Sequence, residues 1–244
     1  MTGWRVLPLH VAPAEEQLAL TETLWRDVAA AHSPPTLRWY SYSAPALILG
    51  IGQSETEINT ETAREDALPI VKRSSGGAAV FAGPHLFALD VALPASSPLA
   101  VPDVVESYRW LGEAFQEALP PEAQLVPPTA ARSDQQAQRG APPHTPQRAR
   151  ALACFGVLSP YEVALASTRK LIGFSQIRKR GVVLYQAGFY THFTGASLAR
   201  YLPPLDGMSE ELDFRIAHLA AIGVDAAGLI AAATEAIARR TPAA

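Results

Sequence analysis

The chain has 244 residues, 48% of them hydrophobic and 18% charged, with a formal net charge of −3; this is a globular composition, long enough to bury a core without a metal or disulfide staple. The mild negative charge leaves no footprint for a nucleic-acid partner. A single cysteine, Cys154, rules out an intramolecular disulfide and a thiolate metal cage and points to a reducing cytoplasm.

The N-terminus, Met1-Thr2-Gly3-Trp4-Arg5-Val6, has no apolar h-region, so no signal peptide is expected. No run approaches 18 apolar residues, so no membrane span is expected. Residues 14–31 read as a helix, with Leu20, Leu24 and Val28 at helical spacing and Glu15 and Glu16 in the first turn. Pro34 and Pro35 end it. Strands are expected over 36–42 and 46–50, then a short helix near 57–66 and a strand over 69–73 that enters a glycine turn. Residues 79–81 and 86–93 read as a hairpin, because Phe87, Leu89, Val91 and Leu93 alternate with smaller residues. Residues 103–119 carry Val104, Tyr108, Leu111, Phe115 and Leu119 on one helical face.

Over 120–150 large apolar residues almost vanish among Pro, Ala, Gln and Arg, and a mobile loop or insertion is expected there. Strands follow over 161–165, 170–177 and 182–190, then helices near 209–221 and 225–239. Helices and strands intermix without regular βαβ alternation. The expectation is an α+β fold, a mostly antiparallel sheet flanked by helices, in one domain over 1–244.

Four clusters bear on chemistry. In Lys72-Arg73-Ser74-Ser75-Gly76-Gly77-Ala78 a strand runs into a small-residue turn between two cations. Glycine lets backbone N–H groups come close to a ligand, and those groups with Arg73 suit a phosphate or an acyl carbonyl; an ordinary hairpin turn is the competing reading. Lys170 begins an apolar strand, where a lysine either loses its proton readily or stabilises developing negative charge. A solvated strand end is its plainer alternative. Cys154 reads as a buried small hydrophobe or as a nucleophile, and a thiol is the natural relay for an acyl group. Arg169, Lys170, Arg178, Lys179 and Arg180 form a basic turn that suits an acidic carrier domain, or simply a solvated hairpin tip. The histidines, at 10, 32, 85, 144, 192 and 218, show no helical metal-site spacing, and no metal is expected.

Two long blocks carry a resemblance. Lys72 to Leu93 resembles R-R-x-x-G-G-x-A-V followed by a strand. Arg169 to Phe189 resembles R-K-[IV]-x-G-x-[AS]-Q-x-R-[RK]-x-G-x-[LI]-x-Q-[HG]-G-x-[LI]. In that order and at that separation they resemble the lipoate–protein ligase A and cysteine-loop octanoyltransferase family, of the biotin/lipoate protein ligase superfamily. The resemblance implies a fold like the catalytic core of class II aminoacyl-tRNA synthetases and biotin ligases. It implies that Lys170 contacts the acyl carbonyl and any phosphate, and that Arg73, Ser74, Ser75, Gly76, Gly77 and Ala78 line the acyl pocket. With these, His85, Gly173, Ser175 and Gln176 are expected at the substrate site.

The family divides between two chemistries. A ligase activates free lipoate with ATP and Mg; an octanoyltransferase takes octanoate from acyl carrier protein and needs no cofactor. Ala153-Cys154-Phe155, continued by Ser159-Pro160-Tyr161-Glu162, resembles the nucleophile segment A-C-F-x-x-P-S-x-Y-E of the cysteine-loop octanoyltransferases. Ile51 replaces the arginine of G-R-x-Q, which fits altered specificity or a divergent member that has lost activity. The ligase pattern V-[YF]-H-D-x-G-N-x-N is absent, with Ala82 in the histidine place. The expectation is therefore a transferase with Cys154 and Lys170 as its catalytic pair. It would act between acyl carrier protein and a lipoyl-carrier domain, such as glycine cleavage H protein or a dehydrogenase E2 subunit. An ATP-dependent ligase and a non-catalytic acyl-carrier binder are the alternatives.

Overall fold

The computed structural model describes residues 3–31 and 33–240; Met1, Thr2, His32 and residues 241–244 of the readings above lie outside them. Strand β1 (Arg5–Ala12) was not expected. It pairs parallel with β2 (Thr36–Tyr42) at the sheet edge, where Pro8 costs no ladder bond on the outer side. Helix α1 (Ala14–Ala29) lies between them in sequence and buries Gln17, Thr21, Leu24, Trp25 and Val28.

After β3 (Ala46–Leu49) come α2 (Thr60–Glu65), β4 (Ile70–Lys72), β5 (Val80–Ala82) and β6 (Leu86–Pro94), then α3 (Arg109–Glu117) and β7 (Ala123–Leu125). Strands β3, β4 and β5 form a separate small sheet with β3 in the middle.

Residues 120–150 depart from the expected loop. They contain β7, a helix α4 (Pro128–Gly140) and a short helix α5 (Pro146–Ala149). Pro128 opens α4 at a position where its missing N–H is harmless. Ala, Gln and Arg are good helix formers, and Ala131 and Gln138 are buried. The helix hides from a hydrophobic pattern because alanine and polar groups make up its inner face.

Strands β8 (Val163–Leu165), β9 (Arg169–Lys179) and β10 (Val182–Tyr190) follow, then α6 (Gly195–Ala199), α7 (Met208–Arg215) and α8 (Ala226–Ala238). The helix expected to reach 221 stops at Arg215, and a separate short turn covers Leu219–Ile222. The main sheet has the order β1-β2-β6-β10-β9-β8-β7, antiparallel everywhere except β1–β2. One face packs Trp39, Val91, Tyr185 and Phe189 against α3 and α8. The other packs Tyr40, Leu86 and Tyr190 with the small sheet. This is the mixed α+β arrangement read from the sequence.

Register decides what the second face offers. Arg38, Asp90, Gln186 and Ser175 stand opposite one another on β2, β6, β10 and β9. One same-face step along, Tyr40, Ala88, Gly188 and Gly173 form the next row. A polar row therefore borders a row of small residues. Arg38 and Asp90, both buried, close at 2.7 Å, and Thr21 and Gln186 also hydrogen-bond to the Asp90 carboxylate at 2.7 and 2.9 Å. No helix among the described residues is long and apolar enough to cross a membrane, and no cluster of three or more potential metal ligands occurs among them.

Candidate active site

The row of small residues leaves a slot on this face. Tyr40, Tyr42, Ile48, Leu86 and Phe174 wall it, Gly173 and Gly188 lie along its sheet side, and Cys154 borders it; it encloses about 550 Å³ with its mouth. Burial is the first cause that pushes the hydroxyls of Tyr40, Tyr42 and Tyr190 above the ordinary phenol value. These three phenols therefore stay uncharged at neutral pH.

Cys154 also borders a second, more polar cleft, which spans about 830 Å³ with the open solvent at its mouth. It is bordered by Gly77 and Ala78, by Gln135, Gln138 and Arg139 of α4, and by Glu162 and Lys170. Cys154 is thus common to an apolar slot and a polar cleft.

Backbone bonds hold the cysteine against the glycine turn. The Cys154 N–H donates to the Ala79 carbonyl at 2.9 Å, and the Ala79 N–H donates to the Leu152 carbonyl at 2.9 Å. Gln53 adds a bond to the Leu152 carbonyl at 3.1 Å. Gly77 has φ +98°, and a Cβ there would lie 2.7 Å from the Arg73 guanidinium and 3.3 Å from the Cys154 sulfur; only glycine fits. Neither the Gly77 nor the Ala78 N–H donates to an acceptor among the described residues, so both remain free for a ligand.

Arg73 brings a cation to the sulfur. An Arg73 terminal nitrogen is 3.8 Å from Sγ, and the same guanidinium donates to the carbonyls of Gly76 and Ala78 at 2.8 and 3.0 Å. Lys170 is 2% exposed. Its ammonium donates to the Cys154 carbonyl at 2.9 Å and pairs with Glu162 at 2.7 Å. Glu162 also accepts from the Ser159 and Phe174 N–H groups at 2.6 and 3.1 Å. Burial pushes the Glu162 carboxyl above the ordinary carboxylate value, opposed by the Lys170 charge and these donors. Glu162, at the Tyr-Glu end of the cysteine motif, is the partner that a buried lysine needs, and in the sequence that need is the one signal for its role.

Segment α4 clamps the same loop. Asp134 takes Arg150 at 2.8 Å, Arg215 at 3.1 Å and the Leu158 N–H at 2.9 Å, while Arg150 donates to the Gly156 carbonyl at 3.0 Å. The residues on both sides of Cys154 are therefore tied to one carboxylate.

Other expected site residues separate. Ser175 borders the slot and bonds to Ser75 at 3.3 Å. Gln176, one residue on, points to the opposite face and bonds to the Val104 carbonyl at 2.7 Å, because a strand alternates. His85 borders neither cavity. It stacks between Phe81 and Tyr190 and faces a separate depression with His192 and Phe193. Ser74 bonds to Glu22 in a separate cleft along α1, and Gly76 offers its carbonyl to Arg73 instead of bordering either cavity. The basic turn is also dispersed. Lys170 is buried, Arg178 bonds to the Val101 carbonyl, and Lys179 and Arg180 lie over the Trp25 ring.

Known proteins agree with this fold. Residues 13–211 match the model of the lipoyl protein ligase A/B catalytic domain. The octanoyltransferase LipM of Moorella thermoacetica is 31% identical over 219 residues, 89% of this chain and 76% of that protein. The one of Symbiobacterium thermophilum is 29% identical over 214 residues, 86% and 73%. Among solved structures, a putative lipoate protein ligase from T. acidophilum with bound lipoic acid aligns at TM-score 0.69 and 18% identity, over 98% of this chain and 85% of that one. The fold and the relatives define the class, enzymes of protein lipoylation. The chain belongs to the lipoyl protein ligase A/B catalytic domain family.

Proposed function

We propose that this protein is an octanoyltransferase of protein lipoylation that carries the acyl group as a Cys154 thioester. The observation that carries the reading is the position of Cys154, which borders both the apolar slot and the polar cleft. The Cys154 sulfur attacks the carbonyl carbon of a donor thioester. A new C–S bond forms, the donor C–S bond breaks, and the donor leaves as a thiol with the proton that Cys154 gives up. The amine of a lysine on a lipoyl-carrier domain then attacks the acyl-enzyme; a C–N bond forms, the C–S bond to Cys154 breaks, and a proton from the amine returns to the sulfur to restore the thiol. Acyl carrier protein is the donor in this reading, and a glycine cleavage H protein or dehydrogenase E2 subunit the acceptor.

In this reading Arg73, 3.8 Å from the sulfur, and the free N–H groups of Gly77 and Ala78 stabilise the oxyanion of each tetrahedral intermediate. Lys170 is a positioning residue that fixes the cysteine backbone through its carbonyl. Burying about six methylenes in the slot at roughly 0.8 kcal/mol each supplies about 5 kcal/mol of binding.

A thioester donor brings its own activation, so the reaction as proposed uses no nucleotide. The ligase alternative is less favoured. ATP belongs to a ligase neighbour of 16% identity, and the relatives with broad sequence matches bear transferase names.

Intact-mass measurement after mixing with octanoyl carrier protein tests the reading. One octanoyl group should appear and be lost with hydroxylamine, and Cys154→Ala should prevent it. Full transfer to the acceptor domain by the Cys154→Ala protein would sink the mechanism.

A further inference from the structure

Helix α4 has an outer face that the transfer chemistry leaves unused. Arg132, Gln136 and Arg139 recur at i, i+4 and i+7, share one side of the helix and are exposed. From α5, the exposed Arg148 reaches over to bond the Arg139 carbonyl. Among the described residues, Arg132, Arg139 and Arg148 pair with no carboxylate. The only acid between residues 126 and 154 is Asp134, and Arg150 and Arg215 engage it. In a chain of net charge −3 this is a local concentration of positive charge. It lies on the rim of the polar cleft, because Arg139 borders that cleft together with Cys154.

We propose that this α4–α5 face docks the donor, an acidic carrier domain whose thioester arm passes through the polar cleft to Cys154. The proposal rests on the reading of Cys154 as the acyl acceptor. Charge complementarity argues for the occupant. Unpaired arginines on a rim raise the local concentration of an acidic partner and orient it before contact. The cleft argues for the arm. A polar passage of this size suits a slender hydrogen-bonding tether, while the acyl tail continues into the apolar slot. The face also gives the inserted segment a purpose: its inner side clamps the cysteine loop, and its outer side receives the donor.

The test compares two donors on R132E/R148E, two residues that border neither cavity. Acylation of Cys154 is followed by quenched-flow mass spectrometry, with octanoate on an acidic acyl carrier protein or on the small thiol N-acetylcysteamine. With the carrier donor, the rate at low donor concentration should fall roughly tenfold or more at low salt and lose most of its salt dependence. With the small donor it should be unchanged. An unchanged carrier rate, or equal losses with both donors, would overturn the docking face. Carrier affinity for the Cys154→Ala protein, read by fluorescence anisotropy, needs no chemistry. It should weaken roughly tenfold or more when R132E/R148E is added, and no weakening overturns the proposal. So does weakening for the lipoyl acceptor domain alone. Failure of both donors to acylate the wild-type protein would instead refute the thioester reading, leaving the anisotropy result to decide the docking face.

Discussion

The two cavities that share Cys154 are built in opposite ways. The apolar slot comes from the regular sheet: Tyr40, Ala88, Gly188 and Gly173 stand in one register row, and the slot exists because two of them have no side chain. The polar cleft comes from irregular backbone and one helix held by ion pairs, with Asp134 as the hub. A slot made by register accepts a hydrocarbon by shape and burial alone. In the proposed reaction the cleft, made by charges and hydrogen bonds, selects what brings that hydrocarbon in. In that reaction cargo and bearer meet at the Cys154 sulfur, and Cys154 borders both cavities together with Phe174.

Removing that atom breaks both halves together, so Cys154→Ala gives the largest effect: loss of acyl-enzyme and of transfer by several orders of magnitude. Next comes the polar side. Glu162→Gln leaves the buried Lys170 ammonium without its carboxylate, and breaking such a pair costs about 3–5 kcal/mol. Thermal unfolding should show a large drop in Tm, with loss of Cys154 acylation from every donor. An unaltered Tm would mean that the pair does not hold the loop.

The slot should respond differently. A Cβ at Gly188 would meet only ordinary contacts, at 3.7 Å from the Phe87 carbonyl oxygen and 3.8 Å from the Phe155 ring, so Gly188→Val folds but fills the slot. It should slow acylation by an octanoyl donor by roughly tenfold or more, since each methylene displaced forfeits about 0.8 kcal/mol. Acylation by an acetyl donor should be nearly unchanged. Equal losses for both donors would place the tail elsewhere.

The same contrast explains what was legible in the sequence. Strands β2, β6, β9 and β10 announce themselves by alternation or apolar runs, and α1 and α8 by helical spacing; these elements make the slot and its backing. Cys154, Arg73 and Lys170 were read from motifs, but their division of labour was not. Only the packed structure shows Arg73 at the sulfur and Lys170 at the backbone carbonyl. The cleft was nearly invisible, because α4 buries alanine, glutamine and a salt-bridged aspartate where a sequence pattern looks for leucine. Strand β1 was missed for a related reason: most of its residues are exposed, so nothing in it alternates toward a core.

His85 supplies the smallest expected effect and the control for both cavities. It borders neither of them, and burial lowers its pKa below the ordinary histidine value. The folded state thus binds this proton less readily than the unfolded chain, so His85 is neutral and harmless above about pH 6.5. As pH falls through 6.5 the unfolded chain takes up the proton first, and stability declines until the folded-state pKa is passed. His85→Phe keeps a ring between Phe81 and Tyr190 and removes the titration. Its Tm should therefore fall less than the wild type's between pH 7 and pH 5, while acylation of Cys154 at pH 7.5 stays within about twofold for octanoyl and acetyl donors alike. A selective loss with the octanoyl donor would return His85 to the acyl slot, against the separate depression it occupies with His192 and Phe193.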